Sequence, residues 1–217
     1  MRKVAFAVTV AAALALAACG GGDEEDENDA AATGGCEEVD APDPKPEGTR
    51  TAPTEALDEG TTYRLVVETN CGSFTIELDQ KSAPKTSASM VALARDGFYD
   101  DTIIHRVVPA FVIQGGDPTG TGSGGPGYQT IDRPPQNAQY TRGVVAMAKT
   151  ATDPPGAAGS QFFVVTAADS GLPPEYAVVG EVSDGLDTVE KIDHLGNAQT
   201  EKPSQTVLIR RVRVETT

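Results

Sequence analysis

The chain has 217 residues, of which 39% are hydrophobic and 5% aromatic, and its formal net charge at pH 7 is −15. This length is enough for one domain with a hydrophobic core but too short for two large ones. The acidic balance argues against nucleic-acid binding, which needs a basic surface to displace phosphate counterions. Two His and three Cys leave few ligands for a metal cluster.

The N-terminus has the pattern of an export signal. A short basic stretch precedes an apolar run from Val4 to about Ala18, which is shorter than the roughly 20 residues of a membrane-spanning helix. The sequence then continues Leu-Ala-Ala-Cys-Gly up to residue 20, which resembles the lipobox of bacterial lipoproteins. That resemblance implies a diacylglycerol on Cys19 and cleavage just before it, so we expect residues 1–18 to be a lipoprotein signal peptide. An ordinary signal peptide followed by an incidental Cys is the alternative.

The next segment, residues 19–60, is acidic and rich in Gly and Pro. It contains fourteen Asp and Glu against two basic residues, Lys45 and Arg50. A segment with so little apolar surface cannot offset the entropy of ordering itself. We therefore expect residues 19–60 to form a disordered tether, with a charge-selective docking tail as the alternative, and residues 61–217 to form the folded domain.

Two cysteines, Cys36 and Cys71, remain for pairing in the mature chain. Export places them in an oxidising compartment, where a disulfide persists. A bridge between them would close a loop of about 35 residues and stabilise the fold by roughly 3–4 kcal/mol on the chain-entropy model. Two unpaired thiols are the alternative.

The folded domain begins with segments 63–68 and 73–79, whose alternation of apolar and polar residues predicts a strand hairpin. A helix is predicted from Ser82-Ala83-Pro84 to Gly97, with Ser82 as its cap. A second helix fits 184–195. Further β-like runs lie at 102–108, 111–114, 143–148, 161–166, 177–182 and 206–214. Many short strands without a βαβ order predict a mainly β fold, a closed or nearly closed antiparallel barrel with helical caps.

Several familiar catalytic patterns are absent from the sequence or out of context. The glycine run at 120–125 formally matches G-x-G-x-x-G, but prolines flank it and no helix follows, so a surface loop is predicted. No G-x-S-x-G is present, and the two His are His105 and His194, the latter expected to be exposed at a helix end. We predict no metal and no cofactor. By contrast, Arg106 lies within an apolar strand pattern, where a charge is costly unless it serves a site.

The segment around this arginine carries the clearest family resemblance. Residues 98–117 (FYDDTIIHRVVPAFVIQGGD) closely resemble the signature of the cyclophilin family of peptidyl-prolyl cis–trans isomerases. Segments 143–148, 159–166 and 176–180 resemble the family's following strands in the same order, so the resemblance covers about residues 65–214. It implies a closed eight-stranded antiparallel β-barrel capped by two α-helices.

The resemblance also implies a set of site residues, carried over by position. The catalytic residues would be Arg106, Phe111 and Gln114, with Gln114 orienting the arginine. The substrate-binding residues would be Met147, Ala148, Lys149, Gln161, Phe163, Leu172 and Tyr176. The proline pocket is expected to consist of Phe111, Met147, Phe163 and Leu172. The backbone near Ala148 and Lys149 would hold the peptide. His105 points to the opposite face by alternation and is expected to be structural.

The sequence departs from the family pattern at a few positions. Lys149 replaces a frequent Asn, Tyr176 replaces a His, and segment 149–158 is about three residues longer than usual. The pocket Trp of eukaryotic members aligns near Gly171, so weak cyclosporin binding is expected.

The function that follows is isomerisation of Xaa–Pro bonds in exported proteins by a monomer on the outer face of the bacterial cell membrane, held there by its lipid. Its partners would be proline-containing peptides and unfolded exported proteins, not nucleic acid. A cyclophilin-fold binding module or chaperone with incidental isomerase activity is the alternative. The joint presence of Arg106, Phe111, Gln114 and Phe163 favours the enzyme.

Overall fold

A computed structural model describes residues 35–217. The predicted signal peptide 1–18, the predicted lipid attachment at Cys19 and the first part of the predicted tether lie outside the described residues. Within residues 35–217, neither helix is long enough and apolar enough to span a lipid bilayer.

The helices are α1 (Pro84–Arg95) and α2 (Leu186–Asp193). The strands are β1 (Tyr63–Thr69), β2 (Gly72–Leu78), β3 (Thr102–Ile103), β4 (Arg106–Val108), β5 (Val112–Gly115), β6 (Thr130–Ile131), β7 (Val144–Met147), β8 (Ala157–Ala158), β9 (Phe162–Val165), β10 (Val178–Asp184) and β11 (Leu208–Thr216).

Nine of the strands in this part of the chain form one antiparallel sheet in the order β3-β11-β1-β2-β10-β7-β9-β5-β4. Strands β3 and β4 lie at opposite edges of this sheet, yet only Ile104 and His105 separate them in sequence. A further bridge joins Ile103 of β3 to Asp117, just after β5. The sheet therefore curls until its edges meet. The predicted mainly β, antiparallel barrel with two helices is confirmed.

The strand count differs from the prediction at one place in the barrel. The run 102–108 was expected to be a single strand, but it divides into β3 and β4 where the chain crosses from one edge to the other. The short separate pair β6–β8 was not predicted, because two-residue strands carry no readable period.

The barrel interior is filled by alternate residues of the strands. Strand β1 buries every second side chain, as its sequence pattern predicts, and these pack with side chains from both helices. We call this group the interior cluster; its large members include Leu65, Phe74, Ile76, Met90, Ile113, Met147, Phe162 and Ile192. Each fully buried aliphatic or aromatic side chain of this size contributes about 1.5–3 kcal/mol.

The helix ends differ from the predicted capping. Ser82 does not cap α1; its own N–H and that of Lys81 donate to Asp79 Oδ1, both at 3.0 Å. Pro84 occupies the first turn as expected. Helix α2 starts later than predicted, after Gly185, whose φ is +74°. A Cβ at Gly185 would lie 2.3 Å from the carbonyl oxygen of Ser73, so the approach of α2 to β2 requires glycine.

Residues 35–60, named here the strap, do not behave as a free tether in the structure. Cys36 is bonded to Cys71 in the β1–β2 turn. Backbone N–H groups of Lys45, Gly48 and Arg50 donate to carbonyls of residues 118, 125 and 126, each at 2.9 Å. The expectation of disorder rested on the scarcity of apolar side chains. The strap is instead held by a cross-link and by main-chain hydrogen bonds, which composition does not encode.

Candidate active site

A second apolar group covers the outer side of the barrel wall at β5, β7 and β9. Successive residues of a strand face opposite sides, so Ile113 and Phe162 point inward while Val112 and Phe163 point outward. We call this group the outer cluster; its buried members are Val112, Tyr140, Ala146, Phe163 and Val165. It borders a cavity in the protein surface.

This cavity has a volume of about 200 Å³ and collects most of the residues that the sequence resemblance points to. Its apolar wall and floor come from Phe111, Val112, Phe163 and Leu172. Eight of the ten predicted site residues line it. The complete lining is Arg106, Phe111, Val112, Gln114, Ala148, Lys149, Phe163, Leu172 and Tyr176.

Met147 was predicted in the proline pocket, and the structure contradicts this. Its side chain is 0% exposed and belongs to the interior cluster. Alternation along β7 explains the error, because Met147 shares the inner face with Val145 while Ala146 points outward. Val112 takes the place in the cavity. The sequence contained the signal, since Val112 lies two residues before Gln114 and so shares its strand face.

Arg106 is positioned by strand pairing and by a chain of amide side chains. It lies opposite Gln114 in the β4–β5 ladder, and its Nη1 donates to Gln114 Oε1 at 3.3 Å. Gln114 Nε2 donates to Gln161 Oε1 at 3.0 Å, and Gln161 Nε2 donates to the carbonyl of Gly124 at 2.9 Å. Gln161 therefore does not line this cavity, and it is connected to the arginine only through Gln114.

Sequence reasoning missed an acidic partner of the arginine. Arg106 Nε donates to Glu201 Oε2 at 2.6 Å, from the loop that follows α2. This hydrogen bond and the positive charge of Arg106 hold the pKa of Glu201 below its usual value. No pattern in the sequence links these two residues, which are 95 positions apart.

Lys149 contributes its side chain to the site, whereas a backbone role was expected. The side chain is 4% exposed, and its Nζ lies 3.0 Å from Glu175 Oε2 and 5.6 Å from the centroid of the Tyr176 ring. The ring of Tyr176 in turn packs edge-on against Phe163 at 5.5 Å and against Tyr140 at 6.0 Å. Tyr140 Oη donates to the carbonyl of Tyr176 at 2.8 Å. These contacts fix one wall of the cavity.

His105 lies in the connection between β3 and β4, outside both strands, and is absent from the lining of the smaller cavity. Both ring nitrogens are buried and have no hydrogen-bond partner among residues 35–217. Burial lowers the pKa of His105, which keeps the ring neutral. The ring packs beneath the glycine loop, where a Cβ on Gly122 would lie 3.6 Å from Nε2. His194 is exposed at the end of α2 as predicted.

The predicted glycine loop forms the wall of a larger neighbouring cavity of about 400 Å³. This cavity shares Gln114, Ala148 and Lys149 with the smaller one, and the strap contributes Glu47 to its lining. The loop is braced from below by Asp117, whose Oδ1 accepts the N–H of Thr119 at 2.7 Å. The glycine run 120–125 therefore forms a surface loop that lines this larger cavity.

The chemistry available at the smaller cavity is non-covalent. An apolar recess excludes water from a small ring, and a guanidinium at its rim offers N–H donors to a polar atom beside that ring. The arrangement therefore suits a ligand with an apolar ring next to a hydrogen-bond acceptor.

Comparison with known proteins agrees with this geometry. Residues 64–214 match the family model described as cyclophilin type peptidyl-prolyl cis-trans isomerase/CLD. The chain is 34% identical to the peptidyl-prolyl cis-trans isomerase CYP18-2 of Arabidopsis thaliana, with 73% of this chain and 98% of that protein covered. It is 37% identical to the peptidyl-prolyl cis-trans isomerase-like 1 of Gibberella zeae, with 70% and 95% covered.

Solved structures give the same result. A cyclophilin type peptidyl-prolyl cis-trans isomerase of Cryptosporidium parvum is similar with a TM-score of 0.66 and 31% identity, covering 72% of this chain and 99% of that one. A structure of the same protein in the presence of the dipeptide Ala-Pro has a TM-score of 0.65 at 32% identity, covering 71% and 99%.

Proposed function

The chain belongs to the cyclophilin family of peptidyl-prolyl cis–trans isomerases, and on that premise we propose that Arg106 catalyses rotation of Xaa–Pro bonds seated in the 200 Å³ cavity. The apolar wall would hold the proline ring. The guanidinium would donate a hydrogen bond to the prolyl amide nitrogen.

The physical basis is the electronic structure of the amide. Delocalisation of the nitrogen lone pair into the carbonyl opposes rotation with a barrier of about 18–20 kcal/mol. A hydrogen bond to the nitrogen localises that lone pair, and it strengthens as the bond twists, so it stabilises the transition state more than the ground state. A dry apolar pocket further favours the less polar, twisted amide. An acceleration of about 10⁵ requires roughly 7 kcal/mol in total, and no bond is made or broken.

The observation that carries the proposal is that two hydrogen bonds from the protein orient the guanidinium of Arg106. Its Nε and Nη1 are each hydrogen-bonded within the protein, to Glu201 and Gln114. Neither N–H of Nη2 has a partner among residues 35–217, so a donor remains for the substrate. The guanidinium is therefore oriented before substrate binds.

Substitution of Arg106 tests this proposal. In a protease-coupled or NMR-exchange assay on an Xaa–Pro peptide, Arg106→Ala should lower kcat/KM by about 10²–10³-fold, as for loss of one oriented donor. Arg64→Ala is the matched control, because both arginines form an ion pair and both side chains are 30% exposed, but Arg64 is absent from the cavity lining. Equal rates for Arg106→Ala and wild type would remove Arg106 from the mechanism.

We further propose that the enzyme acts on exported proteins while attached to the outer face of the bacterial cell membrane through a lipid on Cys19. The support is the lipobox-like sequence ending at Cys19, together with the Cys36–Cys71 disulfide, a bond typical of oxidising compartments. Expressed from the full precursor, Cys19→Ala should move the protein from the membrane to the soluble fraction. Continued membrane retention would contradict the lipid anchor.

We also propose that the protein binds cyclosporin weakly and that it is a monomer. Gly171 precedes the cavity-lining Leu172, and a Cβ there would meet open space, so the position at which the family's Trp aligns offers no side chain to a ligand. Titration calorimetry measures the affinity, and sedimentation measures the oligomeric state. Tight cyclosporin binding would show that contacts elsewhere replace the missing Trp.

A further inference from the structure

We propose that Glu201 is a positioning residue of the isomerase, which holds the guanidinium of Arg106 in the orientation needed by the prolyl amide. This inference rests on the proposed role of Arg106. It concerns a residue in a loop that is distant in sequence from the strands that form the cavity and that lies outside the cavity lining.

The contact itself is the shortest that Arg106 makes with a protein group. Its Nε lies 2.6 Å from Glu201 Oε2, whereas its Nη1 lies 3.3 Å from Gln114 Oε1. A hydrogen bond between two charged groups is roughly twice as strong as one between neutral groups. Glu201 is therefore the stronger of the two supports, and without it the guanidinium would be held only by the longer hydrogen bond to Gln114.

The backbone holds Glu201 at the position where this contact forms. The carbonyl of Glu201 accepts the N–H of Val107, the residue after Arg106, at 2.9 Å, and its own N–H donates to the carbonyl of Asn197 at 2.7 Å. The loop is thus joined to β4 beside the arginine. The side-chain oxygen of Asn197 also accepts the N–H groups of Gln199 and Thr200, at 2.9 and 3.0 Å, which closes the turn.

The backbone conformation of Glu201 also supports a functional role for this residue. Its φ is +56°, in the left-handed region that glycine adopts freely and other residues adopt only with strain. A glycine would relax the loop but would remove the carboxylate. Strained backbone of this kind is concentrated at functional sites.

The ion pair contributes little to global stability, which makes the inference testable. The two side chains are 30% and 49% exposed, and ion pairs at such exposure contribute little to the free energy of unfolding. A lysine or arginine side chain, however, has considerable rotamer freedom when free. Loss of Glu201 should therefore leave the melting temperature nearly unchanged while lowering the rate of rotation about the Xaa–Pro bond.

The experiment compares Glu201→Gln, Glu201→Ala and Glu201→Asp with wild type in the same peptide assay. We expect Glu201→Ala to lower kcat by about 10–30-fold with KM within twofold, Glu201→Gln to lie between it and wild type, and Glu201→Asp to recover part of the loss. Glu77→Gln is the matched control, since it removes the Glu77–Arg64 ion pair of 2.7 Å without touching the cavity lining. It should leave kcat unchanged.

Two further readouts are independent of folding yield. The Arg106 Nε–H should be protected from solvent exchange by NMR in wild type, less protected in Glu201→Gln, whose amide oxygen still accepts a hydrogen bond, and exposed in Glu201→Ala. The wild-type rate should also fall in acid as Glu201 is protonated, below the ordinary glutamate pKa of about 4.3 because Arg106 lowers the pKa of Glu201. This acid limb should be missing from Glu201→Gln.

The outcomes separate this inference from the proposal on which it rests. A wild-type kcat in Glu201→Ala together with a large loss in Arg106→Ala would overturn the role of Glu201 and leave that of Arg106 intact. A wild-type rate in Arg106→Ala would overturn both. A loss of kcat in all the Glu201 variants that follows their melting temperatures would also count against positioning.

Discussion

Phe162 and Phe163 are neighbours on β9, almost equally buried at 2% and 4% exposure, yet they lie in two different environments. Phe162 points into the barrel, where its ring packs edge-on against Tyr99 at 6.1 Å. Phe163 points outward to the cavity and packs edge-on against Tyr176 at 5.5 Å. Burial alone thus fails to distinguish a residue that holds the fold together from one that receives a ligand.

The difference lies in what closes each cluster. Helices α1 and α2 pack against the interior cluster through residues such as Met90 and Ile192. The outer cluster is bounded by loop residues such as Leu172 and Tyr176, which leave the cavity open. The apolar contacts of the interior cluster therefore contribute to stability, whereas the outer cluster keeps one side open to the cavity in which we propose that substrate binds.

Phe162→Ala is expected to have the largest effect. Removing a buried aromatic ring from a closed interior typically lowers the free energy of unfolding by 3–5 kcal/mol, while the folded fraction should keep its kcat/KM. Denaturant unfolding and the isomerase assay on the same sample measure both quantities. A stable but inactive variant would show that the two faces of β9 are not separable.

Met147→Ala tests the corrected position of Met147. A buried methionine in the interior cluster should lower the free energy of unfolding by about 2–5 kcal/mol when truncated, without raising KM. Val112→Ala is its counterpart on the outer face and should raise KM several-fold with a smaller loss of stability. The reverse pattern, with KM responding to Met147→Ala, would return Met147 to the pocket.

Phe163→Ala should reverse the result for Phe162. It enlarges an open cavity, so the loss of stability should be smaller than for Phe162→Ala. If the proline ring binds in this cavity as proposed, it loses an apolar contact, and kcat/KM should fall by about tenfold or more, which corresponds to roughly 1.4 kcal/mol. Comparing kcat/KM and the free energy of unfolding between the two phenylalanine variants shows how far the inner face of β9 serves stability and the outer face serves activity.

Glu68→Gln should give the smallest effect and serves as a control outside both clusters. Hydrogen bonds and charge from Arg213 and Arg211 lower the pKa of Glu68, outweighing a raising effect of burial. Because the folded-state pKa is depressed, its stabilisation is present above the ordinary pKa and is lost as pH falls through the folded value. We expect a loss below about 1 kcal/mol at pH 7. Unfolding curves of variant and wild type should converge in acid, and a gap that widens there would contradict the sign.

Much of this division could be predicted from sequence. Family resemblance identified most of the cavity lining. Alternation along 102–108 placed Ile104 and Arg106 on one face and was wrong, because the chain breaks between β3 and β4: Ile104 joins the interior cluster and Arg106 lines the cavity. The misplacement of Met147 came from carrying over a position without applying alternation to β7. Val112 could have been found by the same rule.

Other features depend on contacts that the sequence does not display. The position of Glu201 depends on a loop docking against β4, and a distance of 95 positions leaves no local pattern. The turn before α1, in which Asp79 accepts the N–H groups of Lys81 and Ser82 and no side chain caps the helix, depends on local backbone geometry. The order of the strap comes from the Cys36–Cys71 bridge, from contacts such as that of the Arg50 guanidinium with the Phe98 ring at 4.8 Å, and from main-chain donors, which every residue except proline carries alike.

The disulfide between Cys36 and Cys71 also determines how the molecule responds to mechanical tension. A pull on the chain before Cys36 passes through the sulfur–sulfur bond to the β1–β2 turn, and residues 37–70 carry none of it. The hydrogen bonds of the strap along the glycine loop are therefore shielded from any force that the N-terminal segment transmits. Under reducing conditions the same pull would first peel the strap from the barrel, beginning with its contacts nearest Cys36.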